Sequence, residues 1–256
     1  MGDHHCPGIY LTTLSNPSTP HFGIGLQHSF LRHTHIRSVW TSAASPSPVG
    51  DLLIGTSASA VHILPHPYQI QKTDYRIKSD VFAVEFLPTD PYPFLCGSRD
   101  GDMRLFDVRV NSTTRPDIIV RHGGTITHIR ALSAQSILVN GLQRCATYDL
   151  RFPHPRSPSS GFAHATRAAR VYGKVVGKDA SMIGLGFDVD ADRGVMAVAD
   201  QEGWVAMWSL ETGEKLQSVL EDRRWEGPCK GIKFDNGVQP GRLWAGEGRG
   251  LTCFSY

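Results

Sequence analysis

Two segments of the chain end in the same way. Residues 105–109 and 147–151 each close a strand-like run with an aromatic residue, an aspartate, an aliphatic residue and an arginine, and they lie 42 residues apart. That distance is typical of one small β unit repeated along a chain. The sequence therefore predicts an array of short-stranded units, with Arg109 and Arg151 on corresponding corners of two consecutive units.

The same period recurs at other positions. The strands predicted to open each unit are 36–40, 81–86, 126–132, 182–187 and 230–234. The strands predicted to close each unit contain equivalent residues that step by 44, 42, 60 and 46 positions, namely His62, Phe106, Tyr148, Trp208 and Phe254. Small-residue turns lie between them. In two of these turns, Asp100-Gly101 and Glu202-Gly203, glycine supplies the positive φ that a tight hairpin needs.

The patterning of apolar residues predicts an all-β fold. Alternation with a period of two dominates, and nowhere does a helical stripe of apolar residues continue for three turns. A unit of about 40–45 residues with four short strands, a glycine turn and a terminal aromatic-Asp pair resembles a blade of the WD-repeat family. The resemblance implies a WD-repeat-like β-propeller in a single domain, residues 1–256. It would have five recognisable four-stranded blades and an N-terminal partial blade, built from runs 9–14 and 22–29.

The resemblance to WD repeats is degenerate. No unit contains a Trp-Asp dipeptide, the Gly-His marker is missing, and Phe106 lacks the N–H group that a tryptophan indole would donate. We therefore expect the polar network inside each blade to be weak or missing. The longest spacing between equivalent residues, 60 positions from Tyr148 to Trp208, marks a basic, Pro/Ser-rich insertion at residues 152–178. Residues 151–178 hold six Lys or Arg and no acid. A solvated loop is the simplest interpretation of this insertion.

Composition narrows the class of function. The chain has 26 basic and 24 acidic residues, so it has no overall field for nucleic acid or membrane. Its five cysteines are scattered and form no C-x-x-C pair, which indicates neither a disulfide framework nor a zinc site. No apolar run approaches the ~18 residues of a membrane span, and no signal-peptide pattern is present. We expect a soluble intracellular protein, nuclear and/or cytoplasmic, without cofactor or metal.

Signatures of catalysis are missing from the sequence. It contains no G-x-S-x-G elbow, no H-E-x-x-H pair and no G-x-x-x-x-G-K loop. Scattered Ser, His and Asp residues are expected in any chain of 256 residues. We therefore expect a binding protein rather than an enzyme.

The two repeated endings are the candidate site. An exposed Asp-Arg pair stabilises a fold by only ~0–1 kcal/mol, so stability gives little reason to have it twice. On adjacent blades, a doubled Asp-x-Arg ending resembles the docking signature of substrate receptors for cullin-4 RING ubiquitin ligases. Here Phe and Tyr replace the Trp of that signature, and residues 208–211 of the next blade do not fit it. Residues 81–86, 89–92 and 250–256 also resemble the family-4 cullin-associated WD factors.

This resemblance implies a partner and a set of residues. The partner is the large damaged-DNA-binding adaptor that links receptors to the cullin scaffold, and an unknown protein substrate would be held elsewhere on the propeller. The implied partner-binding residues are Phe106, Asp107, Arg109, Tyr148, Asp149 and Arg151.

Two other interpretations stay open. The chain can be a general WD scaffold whose arginines are ordinary surface residues. It can also be a chromatin or RNA binder that contacts phosphates through residues 151–178, although nucleic acid is the less favoured partner because that segment lacks a repeating aromatic platform.

Overall fold

The computed structural model divides the chain into two compact units, Met1–Val39 and Trp40–Tyr256. It describes residues 8–13, 27–32, 38–46, 50–64, 71–110, 116–151, 165–172, 183–218, 220, 223–235, 241–247 and 250–256. In the first unit, β1 (Gly8–Thr13) and β2 (Gln27–Arg32) form an antiparallel pair in which Gly8 lies opposite Arg32.

The remaining strands form five successive antiparallel sheets, each ordered as in the chain. The first contains β3 (Val39–Ala44), β4 (Leu52–Thr56), β5 (Ser59–Leu64) and β6 (Gln71–Arg76), and the second contains β7 (Val81–Phe86), β8 (Pro93–Ser98), β9 (Asp102–Asp107) and β10 (Asp117–Arg121). The third contains β11 (Ile126–Ala131), β12 (Ser136–Gly141), β13 (Cys145–Asp149) and β14 (Arg170–Tyr172). The fourth contains β15 (Phe187–Asp190), β16 (Val195–Ala199), β17 (Val205–Ser209) and β18 (Lys215–Leu216), and the fifth contains β19 (Gly231–Phe234), β20 (Arg242–Glu247) and β21 (Gly250–Ser255).

Consecutive sheets pack face to face. Tyr75 on β6 of the first sheet packs on the rings of Phe94 and Phe106 in the second, with ring centroids 5.1 and 5.2 Å apart. Between the second and third sheets, a Cβ on Gly97 would lie 2.4 Å from Cγ2 of Ile126, so this contact requires glycine. A series of four-stranded meanders stacked in this way is the arrangement of propeller blades, and we call the five sheets blades 1 to 5.

The second strand of blades 1 to 4 is buried on both faces, which explains its composition. In β8 and β12 every residue after the first is buried, and both strands are almost continuously apolar. Strands covered on both sides lose the in-out alternation of a half-exposed sheet. No helix is present among the residues that the structure describes, and the all-β prediction is confirmed.

Several predicted boundaries are wrong. The five aromatic or histidine positions lie on the third strand of each blade. A fourth strand follows in blades 1 to 4, and it is short only in blades 3 and 4. The predicted opening strand 182–187 overlaps β15 only at its last residue, and 36–40 overlaps β3 only at its last two, with 36 and 37 outside the described residues. The run 22–29 overlaps β2 (Gln27–Arg32) at residues 27–29, and residues 22–26 lie outside the described residues. Blade 5 has three strands within its described part.

The insertion is not entirely a loop. Of residues 152–178 the structure describes 165–172, and within them β14 pairs with β13 so that Tyr172 lies opposite Cys145. The Tyr172 ring is buried, and its hydroxyl bonds Oγ1 of Thr147 at 2.9 Å and donates to the carbonyl of Leu210 in blade 4 at 3.2 Å. The loop interpretation is therefore wrong for Arg170–Tyr172, because one buried tyrosine ties this segment to two blades.

The expectation of weak or missing polar networks is also wrong. In blade 3 the hydroxyl of Tyr148 lies 2.9 Å from Nδ1 of buried His122, whose Nε2 lies 2.9 Å from the carbonyl oxygen of Arg144. In blade 2, where Phe106 has no polar atom, Arg104 donates from Nη1 to Oγ of Ser98 at 2.7 Å and from Nη2 to Oδ2 of Asp100 at 2.7 Å. Blades 2 and 3 are thus hydrogen-bonded internally by different polar side chains.

Candidate protein-docking surface

One backbone hydrogen bond recurs where the third strand of a blade ends. The N–H of Val108 donates to the carbonyl of Tyr92 at 3.1 Å, and the N–H of Leu150 donates to Gln135 at 2.7 Å. Each bond ties the end of the third strand to the turn that joins the first two strands. We call this arrangement the corner of a blade. The third strands of stacked meanders run in the same direction. The corners of blades 2 and 3 therefore lie at the same end of the stacked strands.

Asp107 holds Arg109 at the corner of blade 2 by both its backbone and its side chain. Oδ1 of Asp107 accepts the backbone N–H of Arg109 at 2.9 Å and the Nε–H at 2.9 Å. Oδ2 accepts from Nη2 at 2.5 Å. The carboxylate therefore fixes the turn and one edge of the guanidinium together.

The corner of blade 3 repeats this geometry. Oδ1 of Asp149 accepts the backbone N–H of Arg151 at 2.9 Å and its Nε–H at 3.0 Å, and Oδ2 accepts from Nη2 at 2.6 Å. Both arginine side chains have an exposed fraction of 56%. The two motifs that the sequence singled out thus place equivalent, solvent-accessible guanidinium groups on adjacent blades.

The ion pairs also set the charge of the surface. Hydrogen bonds from Arg109 hold the pKa of the Asp107 carboxyl below its usual value, and those from Arg151 lower the pKa of Asp149 to about 2. Both carboxylates are therefore ionised at neutral pH. Each arginine is then electrically balanced by its own aspartate, and the docking surface carries little net charge.

Phe106 and Tyr148, the aromatic members of the two motifs, are buried. The Phe106 ring stacks on Phe94 with centroids 5.3 Å apart, and Tyr148 bonds His122. Their side chains therefore belong to the blade cores. From there they fix the strand ends that carry the aspartates and arginines.

The structure brings residues to the site that the motif did not include. The guanidinium carbon of Arg109 lies 4.5 Å from the ring centroid of Tyr92, and Nη2 lies 3.9 Å from Oδ2 of Asp90. Tyr92 and Val110 are both exposed, so a partner that reaches Arg109 also meets an aromatic ring and an aliphatic side chain. A stacked arginine is held more firmly than a free one, because the ring limits its rotamers.

Two other features, a metal centre and a membrane-spanning helix, do not occur in the described ranges. No group of three His, Cys, Asp or Glu residues there could hold a metal ion. In that part of the chain no helix has the length and apolar character needed to cross a membrane.

The comparisons with known proteins identify the fold. No protein-family profile matches the sequence, and no curated protein matches it significantly. Among solved structures, the chain is similar to the β-propeller domain of Cps50 (Swd1) from Myceliophteria thermophila, with a TM-score of 0.65 and 13% identity. The match covers 89% of this chain and 72% of the other. The protein therefore has the β-propeller fold that its repeat predicts.

Proposed function

We propose that this protein is a non-catalytic, WD-repeat-type propeller that serves as a substrate receptor of a cullin-4 RING ubiquitin ligase. Arg109 and Arg151 dock on the damaged-DNA-binding adaptor, and ubiquitin transfer is carried out by other subunits. The observation that supports this most directly is the duplicated corner, where two aspartates hold two exposed arginines in matching geometry on adjacent blades.

The chemistry of the corner suits docking better than stability. Exposed ion pairs contribute ~0–1 kcal/mol, so two such pairs account for little of the folding free energy. Arginine presents a planar fork that makes several hydrogen bonds in fixed directions. Because Asp107 and Asp149 already orient that fork, less side-chain entropy is lost when a partner binds.

The proposal is tested by measuring the affinity of the purified propeller for the purified adaptor. The double variant Arg109→Ala/Arg151→Ala is expected to weaken binding more than tenfold, since truncating one buried interfacial arginine often costs ~2 kcal/mol or more. Arg99→Ala is the matched control. Arg99 pairs with Asp80 at 2.6 Å with an exposed side-chain fraction of 60%, but it lies in the β8–β9 turn at the opposite end of the strands.

A second variant distinguishes the effect of the planar guanidinium geometry from the effect of the positive charge. Arg109→Lys/Arg151→Lys keeps both positive charges and removes the planar geometry, so it is expected to bind almost as weakly as the alanine variant. Undiminished binding by a folded double-alanine variant would refute the proposal. Affinity capture that recovers other proteins and no cullin machinery would favour the general scaffold instead.

A further inference from the structure

Blade 4 lacks the Asp-x-Arg ending but has the same corner. The N–H of Leu210 donates to the carbonyl of Gly194 at 2.7 Å, as Val108 and Leu150 do in blades 2 and 3. Ser209 and Glu211 occupy the positions of the aspartate and the arginine. By its motif alone, blade 4 contributes nothing to an arginine surface.

An arginine nevertheless reaches this corner from the other side. Arg193 lies in the turn between β15 and β16, next to Gly194, which accepts the corner hydrogen bond. Its side chain is 41% exposed. Blade 4 thus places a guanidinium at its corner from the first hairpin rather than from the end of the third strand.

Arg193 is held in the same double manner as the two motif arginines. Oδ1 of Asp190 accepts the backbone N–H of Arg193 at 3.0 Å, and Oδ2 accepts from Nη1 at 3.1 Å. One carboxylate again fixes both the turn and the guanidinium. The spacing is Asp-x-x-Arg rather than Asp-x-Arg, so this pair does not match the motif.

An aromatic residue completes the likeness to blade 2. The guanidinium carbon of Arg193 lies 6.0 Å from the ring centroid of Tyr256, as Arg109 lies over Tyr92. The Tyr256 hydroxyl donates to Oδ2 of Asp190 at 2.6 Å. Burial alone would raise the pKa of Asp190, but hydrogen bonds from Tyr256 and Arg193 outweigh it and lower that pKa. Asp190 is therefore an ionised anchor in a nearly buried position.

We propose that Arg193 is a third contact for the same adaptor, so that the docking surface spans the corners of three consecutive blades and uses Arg109, Arg151 and Arg193. This inference rests on the proposed function. It makes the arginine surface one blade wider than the sequence motif, with Asp190 as the residue that positions the third guanidinium.

The test measures adaptor affinity and melting temperature for Arg193→Gln beside the wild type. Glutamine cannot supply the guanidinium fork, and we expect roughly tenfold weaker binding, the order of a single interfacial anchor. Arg99→Gln is the control from the opposite end of the strands and is expected to bind as the wild type does.

The variant Tyr256→Phe distinguishes a contact role of Arg193 from a purely structural role. This change removes the hydroxyl bond to Asp190 but leaves Arg193 in place, so it is expected to lower the melting temperature and to keep most of the affinity. Equal losses of affinity in Tyr256→Phe and Arg193→Gln would overturn the contact role. If Arg193→Gln does not fold, Arg193→Lys keeps a cation for Asp190, and the same comparison is made with it.

The outcomes distinguish the two proposals. Failure of the wild type to bind the adaptor removes the proposed function and this inference with it. Binding that is lost in Arg109→Ala/Arg151→Ala but unchanged in folded Arg193→Gln overturns the third contact alone. Loss in both, with Arg99→Gln unaffected, supports a surface of three arginines.

Discussion

A single side chain decides how the interior of each blade is hydrogen-bonded. At the equivalent position on the third strand, blade 2 has Phe106 and blade 3 has Tyr148. Phenylalanine has no polar atom, and in blade 2 the interior hydrogen bonds are made by Arg104. In blade 3 the tyrosine hydroxyl makes a hydrogen bond with His122. Because His122 is completely buried, burial lowers the pKa of its imidazole to about 4.

The buried histidine predicts that the protein loses stability in mild acid. The folded-state pKa of His122 lies below the ordinary value of about 6.5, so the unfolded chain binds more protons between those values. The contribution of neutral His122 is complete above pH 6.5 and decreases as the pH falls toward 4. We expect a loss of roughly 2–3 kcal/mol in the free energy of unfolding over this range, measured by urea titration.

The variant His122→Gln provides the comparison. Glutamine can donate and accept hydrogen bonds but does not titrate, so the variant is expected to be less stable at pH 7 and to have a shallower pH dependence between pH 4 and 6.5. Parallel pH profiles for the two proteins would show that another group causes the loss.

At the scale of the element, the first strands of four blades are linked by alternating charges. Arg130 on β11 donates from Nη1 to Oε2 of Glu85 on β7 at 3.2 Å and from Nε to Oδ1 of Asp188 on β15 at 3.4 Å. Nζ of Lys233 on β19 lies 3.1 Å from Oδ2 of Asp188, which also accepts the N–H of Phe234 at 2.8 Å. Asp188, whose side chain is 1% exposed, is the central link of this chain.

Removing Asp188 is therefore expected to weaken the packing of blades 3, 4 and 5 together. Asp188→Ala leaves the N–H of Phe234 without its acceptor and takes one carboxylate from Arg130, which keeps Glu85, and from exposed Lys233. Because the lost acceptor is buried, we expect the free energy of unfolding to fall by about 1–3 kcal/mol. Urea unfolding measures the loss, with exposed Asp117→Ala as the control. Equal stability of the two variants would show that these charged contacts do not stabilise the packing of the blades.

At the scale of the whole molecule, the docking surface is nearly neutral although it is rich in arginine. Each motif arginine is balanced by its aspartate, and Asp90 adds a further acid beside Arg109. Because the opposite charges of each pair largely cancel, added salt changes the electrostatic field of this surface little. We therefore expect the proposed adaptor to bind through fixed hydrogen bonds and apolar contact rather than through long-range attraction.

Adaptor affinity is accordingly expected to change by less than about threefold between 50 and 200 mM salt. A protein that makes six to ten phosphate contacts loses about 10³–10⁵ in affinity over the same range. Titration at the two salt concentrations, with the adaptor and with a single-stranded RNA, separates the receptor interpretation from the nucleic-acid interpretation. A steep loss with the adaptor would contradict the neutral surface.

The sequence predicted the parts of the fold that strong local signals determine. Gly101 and Gly203 have φ values of +79° and +86°, which confirms the two predicted glycine turns. Four-stranded blades were predicted, but the positions of the fourth strands were not. In blades 3 and 4 these strands, β14 and β18, have only three and two residues, and their strand patterning is too short to recognise. Such edge strands are fixed by tertiary contacts, as the buried Tyr172 shows.

The candidate site was predictable only where its residues are adjacent in sequence. Asp107 and Arg109, like Asp149 and Arg151, lie two positions apart, so the motif is visible in the chain. Tyr92 and Tyr256 come from distant segments, and Arg193 uses a different spacing from its aspartate. Tyr92 meets Arg109 because blade 2 brings a hairpin turn against the end of its third strand, whereas Tyr256 reaches Arg193 from the neighbouring blade 5.

The recurring peptide hydrogen bond at each corner has a consequence for engineering. Its donor and acceptor are main-chain groups, so this bond does not depend on which side chains occupy the corner. Blade 4 keeps this bond with Ser209 and Glu211 where blades 2 and 3 have aspartate and arginine. Because the bond persists, an Asp-x-Arg motif can be introduced at a corner, or removed from it, without redesigning the blade.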